Sequence, residues 1–256
     1  MVLFGTVSSS ANFCLSLSAC KAASSAFLTS ITTAIGFGSL YFVEVIPVQV
    51  FGLVAGAGTL IAYFDLLGIK HTSAPFYQMA LTFNKRDTLS VVKEYGISTA
   101  TSFYMHQRDN IVTDSIIRKV GLPCFVKPNK SGSSFGISKV KTKKEFLPAI
   151  ETAYKEDNEI IIESFLDGVE VSVGVISYKG KTLVLPMTEI VSENEFFDYE
   201  AKYLGKSSEI TPARISEELR LKIELVSKKA YETLKMKGFS RSEFIIVNNE
   251  PYMLEI

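Results

Sequence analysis

The stretch Leu122-Pro-Cys-Phe-Val-Lys-Pro-Asn-Lys-Ser-Gly-Ser-Ser-Phe-Gly-Ile-Ser-Lys-Val decides the fold. Its opening Leu122-Pro-Cys-Phe-Val-Lys reads as a buried strand, Ser131 to Gly136 as a glycine- and serine-rich turn, and Ile137 to Val140 as a second strand. Backbone N–H groups and hydroxyls of such a turn suit phosphate oxygens, and Lys127 on the preceding strand adds a cation. Together they read as a phosphate clamp, although most Gly-Ser turns are only turns. Cys124 reads as a core residue, because Cys14, Cys20 and Cys124 form neither a metal spacing nor a disulfide framework.

Outward from this stretch, local signals continue in both directions. Asn84 is suited to cap a helix from about Lys85 to Tyr95, which Gly96 ends. Thr142 and Glu145 make a capping box for a helix with Phe146, Ile150 and Ala153 or Tyr154 on one face. Strands are predicted at Glu159 to Phe165, Val169 to Tyr178 and Thr182 to Val191, with Val171, Val173 and Val175 alternating against Ser172 and Gly174. The result is a mainly antiparallel sheet. A helix from about Ser216 to Met236 carries Leu219, Ile223, Val226, Ala230 and Leu234 as its apolar stripe and is stopped by Gly238.

The chain closes in a predicted hairpin, Glu243 to Val247 and Tyr252 to Ile256, turning around Asn248-Asn249-Glu250. With its centre at Asn249, Glu243 and Glu255 face each other. Like charges opposed across strands are destabilising, so the pair suggests a shared proton or a bound cation, and carboxylate oxygens favour magnesium. Arg241, two residues earlier and on the same face, is placed to stabilise a developing oxyanion or phosphate. The plain alternative is a surface of mixed charge, since a one-residue slip undoes the pairing. Glu163 and Glu170 bracket a short turn after an apolar strand, an arrangement suited to a base and a ribose or to an ordinary hairpin. His71 and His106 have no partner histidine or nucleophile and read as structural or solvent-facing.

Composition divides the chain. Its 27 basic and 27 acidic residues cancel over 256 positions, which gives no hint of a nucleic-acid partner. Residues 1–64 hold only two charged side chains, Lys21 and Glu44. The uncharged runs 22–43 and 45–64 are long enough to cross a hydrocarbon core of about 30 Å as helices, and Gly52 and Gly56 have the spacing that lets membrane helices approach. They are expected to form a transmembrane hairpin, the alternative being a buried helical hairpin. Met1 to Cys20 lacks the basic start of a signal peptide. Through Ser25-Ala-Phe-Leu-Thr-Ser-Ile-Thr-Thr-Ala-Ile-Gly-Phe-Gly-Ser-Leu, Pro47, Phe51-Gly52 and Ile61-Ala62-Tyr63, residues 25–64 resemble transmembrane helices of the resistance-nodulation-division transporter superfamily, without the carboxylates or bulk that transport requires.

Five ordered motifs carry a second resemblance: Val126-Lys-Pro-Asn-Lys-Ser-Gly-Ser-Ser-Phe-Gly-Ile-Ser-Lys-Val, Ile162-Glu-Ser-Phe-Leu-Asp-Gly-Val-Glu, Tyr199-Glu-Ala-Lys-Tyr, Arg241-Ser-Glu and Met253-Leu-Glu. Over about residues 65–256 the chain resembles the D-alanine–D-alanine ligase family of ATP-grasp enzymes. The resemblance implies an α+β fold in which two subdomains, here 65–163 and 164–256, enclose ATP. It places Lys85 and Lys127 on the phosphates with Ser133, Ser134 and Phe135 closing over them. Glu163, Ser164 and Leu166 would meet adenine, Glu170 the ribose, and Lys202 the transferred phosphoryl group. Glu243 and Glu255 would bind Mg2+ or Mn2+, Ser133 and Tyr203 would place the second substrate, and Arg241 would stabilise the oxyanion.

The implied reaction joins two D-alanines through an acyl phosphate to make a peptidoglycan precursor. A cytoplasmic location is implied for the ligase part, with membrane association through residues 22–64, and family members are often homodimers. Two departures stand out. The family's N-terminal domain is replaced by the membrane-like segment, and an asparagine metal ligand and a Pro-Gly loop would follow Ile256. Weak or absent ligation is therefore expected of this chain, with a non-catalytic, membrane-tethered nucleotide-binding module or a transporter fragment as rivals.

Overall fold

Alternation along the strands sorts side chains between a helix-covered face and an open face, and this positions the site. The computed structural model describes residues 28–36, 58–192 and 207–256, and the chain divides into two compact units, Met1–Phe76 and Tyr77–Ile256. In the first unit, α1 spans 28–36 and α2 spans 58–67. Gly68, at φ 68°, closes α2 as Ile69 N–H reaches Phe64 O at 2.9 Å. The compositional seam at Phe64 thus falls inside a helix. His71 Nε2 bonds to Asp65 Oδ1 at 2.9 Å and Phe76 N–H donates to Asp65 Oδ2, so these residues belong with what precedes them. Among the described residues no helix is long and apolar enough to cross a membrane. The expected transmembrane hairpin and its transporter resemblance find no support there; the other parts of 22–43 and 45–64 lie outside the described residues.

The second unit begins with α3 (Phe76–Phe83, which starts at the boundary) and α4 (Lys85–Glu94). Asn84 is the N-cap of α4, its Oδ1 accepting from Asp87 N–H at 3.1 Å, and Gly96 follows the helix at φ 71°. A four-stranded antiparallel sheet comes next, ordered β1 (Ser102–His106), β4 (Glu159–Ser164), β2 (Cys124–Pro128), β3 (Ser138–Val140). The helices α5 (Thr113–Val120) and α6 (Lys143–Ala153) join its core. The capping box of α6 forms, with Glu145 accepting from the Thr142 N–H and hydroxyl. Cys124, Val126, Ile160 and Ile162 point to the helices and pack with Phe146 and Ile150. Each of these aliphatic side chains contributes about 1.5–3 kcal/mol by leaving water. Burial also pushes the Cys124 thiol up to about 11, as expected of an inert core residue.

The second sheet has the order β10 (Glu250–Glu255), β9 (Phe239–Val247), β5 (Val169–Tyr178), β7 (Thr188–Ser192), β8 (Ser207–Ile210), with β6 (Lys181–Val184) also on β5. Val171, Val173, Val175, Phe244 and Ile246 form its core face, where α7 (Glu217–Thr233) contributes Leu219, Ile223 and Ala230. Glu170, Ser172, Glu243 and Ile245 alternate with that face.

Three boundaries differ from expectation. The predicted strand Thr182–Val191 is two strands lying end to end along β5, because Pro186 has no N–H to donate and interrupts the ladder. The long helix ends at Thr233 rather than near Gly238. Its closing turn uses Lys235 at φ 55°, with Met236 N–H on Tyr231 O at 3.0 Å and Lys235 N–H on Glu232 O at 3.1 Å. The hairpin turn is the two-residue Asn248-Asn249, at φ 51° and 60°, and Glu250 already pairs with Val247. From that turn a regular ladder would set Leu254 against Glu243. A bulge between Met253 and Glu255 moves the register, and Glu255 pairs with Glu243 after all.

Candidate functional site

The open faces of the two sheets border a cavity of about 430 Å³. On the first sheet Lys127 and Glu163 share the face opposite the helical core, since Lys127 pairs with Ile161 and Glu163 lies two residues further. Lys127 Nζ donates to Glu163 Oε2 at 2.8 Å, and Glu163 is 3% exposed. Burial alone would lower the Lys127 pKa. The Glu163 charge and hydrogen bond, with Glu255 and Glu170 nearby, outweigh that and hold the ammonium above its ordinary value. Lys85, the first residue of α4, reaches in from the side, and its Nζ donates to Ser131 O at 2.7 Å.

Opposite them stand Glu170 on β5 and Glu243 and Glu255 on the hairpin, while Ser164 and Leu166 line the connection between the sheets. The bulge brings Leu254 and Glu255 to the same cavity. Arg241 Nη2 bonds to Glu243 Oε1 at 2.8 Å; Arg241 itself borders the acid pair rather than lining the cavity.

The Gly-Ser loop forms an adjoining pocket of about 40 Å³ with Ser133, Ser134 and Phe135 on its wall, sharing Lys85, Ser134, Ile137 and Glu255 with the larger one. Ser133 and Ser134 both have positive φ, 52° and 61°, and Phe135 N–H closes the turn on Gly132 O at 3.1 Å. Such strain in non-glycine residues persists only where the surroundings over-determine it, commonly at a functional loop. Gly136 ends the turn at φ 70°. A Cβ there would lie 2.8 Å from Pro128 Cγ, so the loop folds back tightly on the end of β2. Of the residues expected at the site, Lys202 and Tyr203 lie outside the described residues.

Some of the cavity was not anticipated. Phe125, Ile137, Phe165 and Ile190 supply an apolar wall, with the Phe125 and Phe165 rings 6.1 Å apart and Lys139 Nζ 4.1 Å from the Phe165 ring centre. Glu189, also at the cavity, is held by both Arg214 Nη2 at 2.7 Å and Nε at 2.9 Å, and this guanidinium keeps its carboxyl below the ordinary glutamate range. A lone acid in the apolar run Thr182–Val191 was the available signal. Asp167, between Glu163 and Glu170, adds to the acidic lining.

Among the described residues no group of three or more histidine, cysteine or acidic side chains is placed to hold a metal by itself. Two opposed carboxylates beside lysines fit a different arrangement. Magnesium commonly takes one or two protein carboxylates and completes its shell with water and substrate phosphate.

Two antiparallel α+β layers with a cleft between them define an ATP-grasp-like fold. Residues 88–256 match the family model described as D-ala D-ala ligase C-terminus, and the chain belongs to that family. It is 70% identical over 199 residues to a D-alanine–D-alanine ligase of Flavobacterium johnsoniae, covering 78% of this chain and 62% of the relative. A ligase of the same name from Christiangramia forsetii is 60% identical over 199 residues, covering 78% of this chain and 61% of its own. The chain thus spans about three fifths of these relatives' length. Among solved structures it resembles the VanG D-Ala:D-Ser ligase of Enterococcus faecalis, at 33% identity and TM-score 0.65 over 77% of this chain and 58% of that one. The D-alanine–D-alanine ligase of Bacillus anthracis matches at 28% identity and TM-score 0.65, over 77% of this chain and 64% of that one.

Proposed function

We propose that this chain carries the nucleotide-handling part of an ATP-dependent D-alanine–D-alanine ligase. The observation that bears most weight is the meeting of Lys85, Lys127, Glu243 and Glu255 around one cavity beside a strained Gly-Ser loop. In this reading the lysines and loop would hold the triphosphate, and Glu243 and Glu255 would hold Mg2+ or Mn2+. Glu170 takes the ribose, and Glu163, Ser164 and Leu166 take the base against the apolar wall. The metal would supply charge neutralisation for phosphoryl transfer.

One D-alanine carboxylate accepts the γ-phosphoryl group, releasing ADP, and the resulting acyl phosphate is attacked by the amine of a second D-alanine. An amide forms, phosphate leaves and the amine loses a proton. Carboxylates are poor acyl donors until activated, and bringing the partners together provides much of the acceleration. Arg241 would stabilise the oxyanion, with Ser133, Lys202 and Tyr203 acting on the reacting groups. A homodimer and a cytoplasmic setting for this part remain elements of the proposal.

Calorimetric titration with ATP in the presence of Mg2+, followed by a coupled assay of ADP release with and without D-alanine, tests the reading. Metal-dependent ATP binding is expected, and the release assay then measures how much D-alanine-dependent turnover this chain supports. Absence of metal-dependent ATP binding would overturn it.

A further inference from the structure

Asn129 lies one residue beyond β2, is 1% exposed and lines neither of the cavities that border the Gly-Ser loop. Its side chain is nevertheless fully engaged. Oδ1 accepts from Arg86 N–H at 2.8 Å, and Nδ2 donates to Asn84 Oδ1 at 2.9 Å and Glu159 Oε2 at 3.3 Å. Its backbone is engaged as well, with O accepting from Lys85 N–H at 3.2 Å and N–H donating to Glu159 O at 2.9 Å.

A helix begins with N–H groups that have no partner inside it. Here two of them, on Lys85 and Arg86, end on Asn129, and the N-cap Asn84 is pinned by the same side chain. The first turn of α4 is therefore capped from the strand that carries Lys127 two residues earlier. The amide orientation is fixed, because Arg86 N–H can meet only an oxygen and the Glu159 carboxylate only a donor. Arg86 Nη1 at 2.6 Å and Lys130 Nζ at 3.0 Å brace Glu159 in turn.

We propose that Asn129 is a positioning residue that sets the separation between Lys85 and Lys127, and so the fit of the cleft to a polyphosphate. This rests on the reading of the two lysines as phosphate ligands. An aspartate in its place would face Glu159 with like charge, and a leucine would leave Arg86 N–H unmet and take one of the two donors from Asn84 Oδ1, which keeps only Asp87 N–H, so an amide suits the junction best.

The test measures MgATP and adenosine affinity in the full chain for wild type, Asn129→Ala, Lys85→Met and the double variant. Asn129→Ala should weaken MgATP about tenfold while leaving adenosine, which has no phosphate, within about twofold. In the Lys85→Met background the same change should add nothing further. If Asn129→Ala does not fold, Asn129→Asp is read by the same ratio of the two affinities, which should fall below that of wild type. An unchanged ratio, equal losses for both ligands or additive losses in the double variant overturn the inference while the phosphate reading stands. A wild-type chain that fails to bind MgATP overturns the phosphate reading and this inference with it.

Discussion

Glu243 and Glu255 stand opposite each other at the end of the terminal hairpin because Leu254 is an extra residue in its strand. The ladder from Val247 and Glu250 to Phe244 and Met253 runs in one register, and the bulge then advances β10 by a residue. Two carboxylates are thereby opposed, Glu243 being buried and paired with Arg241.

If that pair serves a divalent cation, Glu243→Gln and Glu255→Gln should each weaken Mn2+-dependent ATP binding at least about tenfold while leaving adenosine binding nearly unchanged. Deleting Leu254 should preserve much of the metal dependence, because Glu255 then meets Glu243 in the regular register. Electron paramagnetic resonance of bound Mn2+ distinguishes these outcomes.

Lys127→Met should destabilise the fold by about 3–5 kcal/mol, because it leaves the buried Glu163 carboxylate without its counter-charge. Adding Glu163→Gln should restore most of the stability in urea titrations but not MgATP affinity. Recovery of both would mean that Lys127 serves packing alone.

The Glu189–Arg214 pair makes stability depend on pH in a definite direction. Arg214 depresses the Glu189 pKa in the folded state, so the contribution is present above the ordinary glutamate value and lost as pH falls through the depressed one. Arg214→Met should lower the melting temperature at about pH 6, and the gap to wild type should narrow as pH falls below the ordinary glutamate range and through the depressed value. A gap that is constant with pH would point to lost packing.

Lys235 holds the left-handed position that closes α7. Lys235→Gly relieves that conformation and should stabilise the chain by about 0.5–1 kcal/mol, seen as a higher midpoint in thermal unfolding.

Much of this architecture was legible wherever the signal is local. The caps at Asn84 and Thr142, the alternation of Val171, Val173 and Val175 and the strand-loop-strand around Ser131–Gly136 all depend on near neighbours. Opposition of Glu243 and Glu255 was anticipated from a turn centred at Asn249, and it holds for another reason, the true turn and the bulge offsetting one another. Features set by distant partners were harder to read. Glu189 finds Arg214 well along the chain, Asn129 finds α4, and Phe125 and Phe165 wall a cavity with side chains that look like ordinary core. Lys235 does not look like a helix stop in the sequence, because glycine adopts the left-handed conformation more readily and Gly238 stands three residues on.

The lining of the cavity also has a kinetic consequence. Glu163, Asp167, Glu170, Glu189, Glu243 and Glu255 surround Lys85 and Lys127, and even with Arg214 and Arg241 offsetting two of the acids, negative charge prevails among the described residues. A bare triphosphate approaches against repulsion, whereas a divalent ion is drawn in and its nucleotide complex arrives already partly neutralised. If the cavity takes ATP as proposed, it would sort the nucleotide by metallation before any contact of shape is made. Raising ionic strength should narrow the difference in association rate between the metal-free and metal-bound nucleotide.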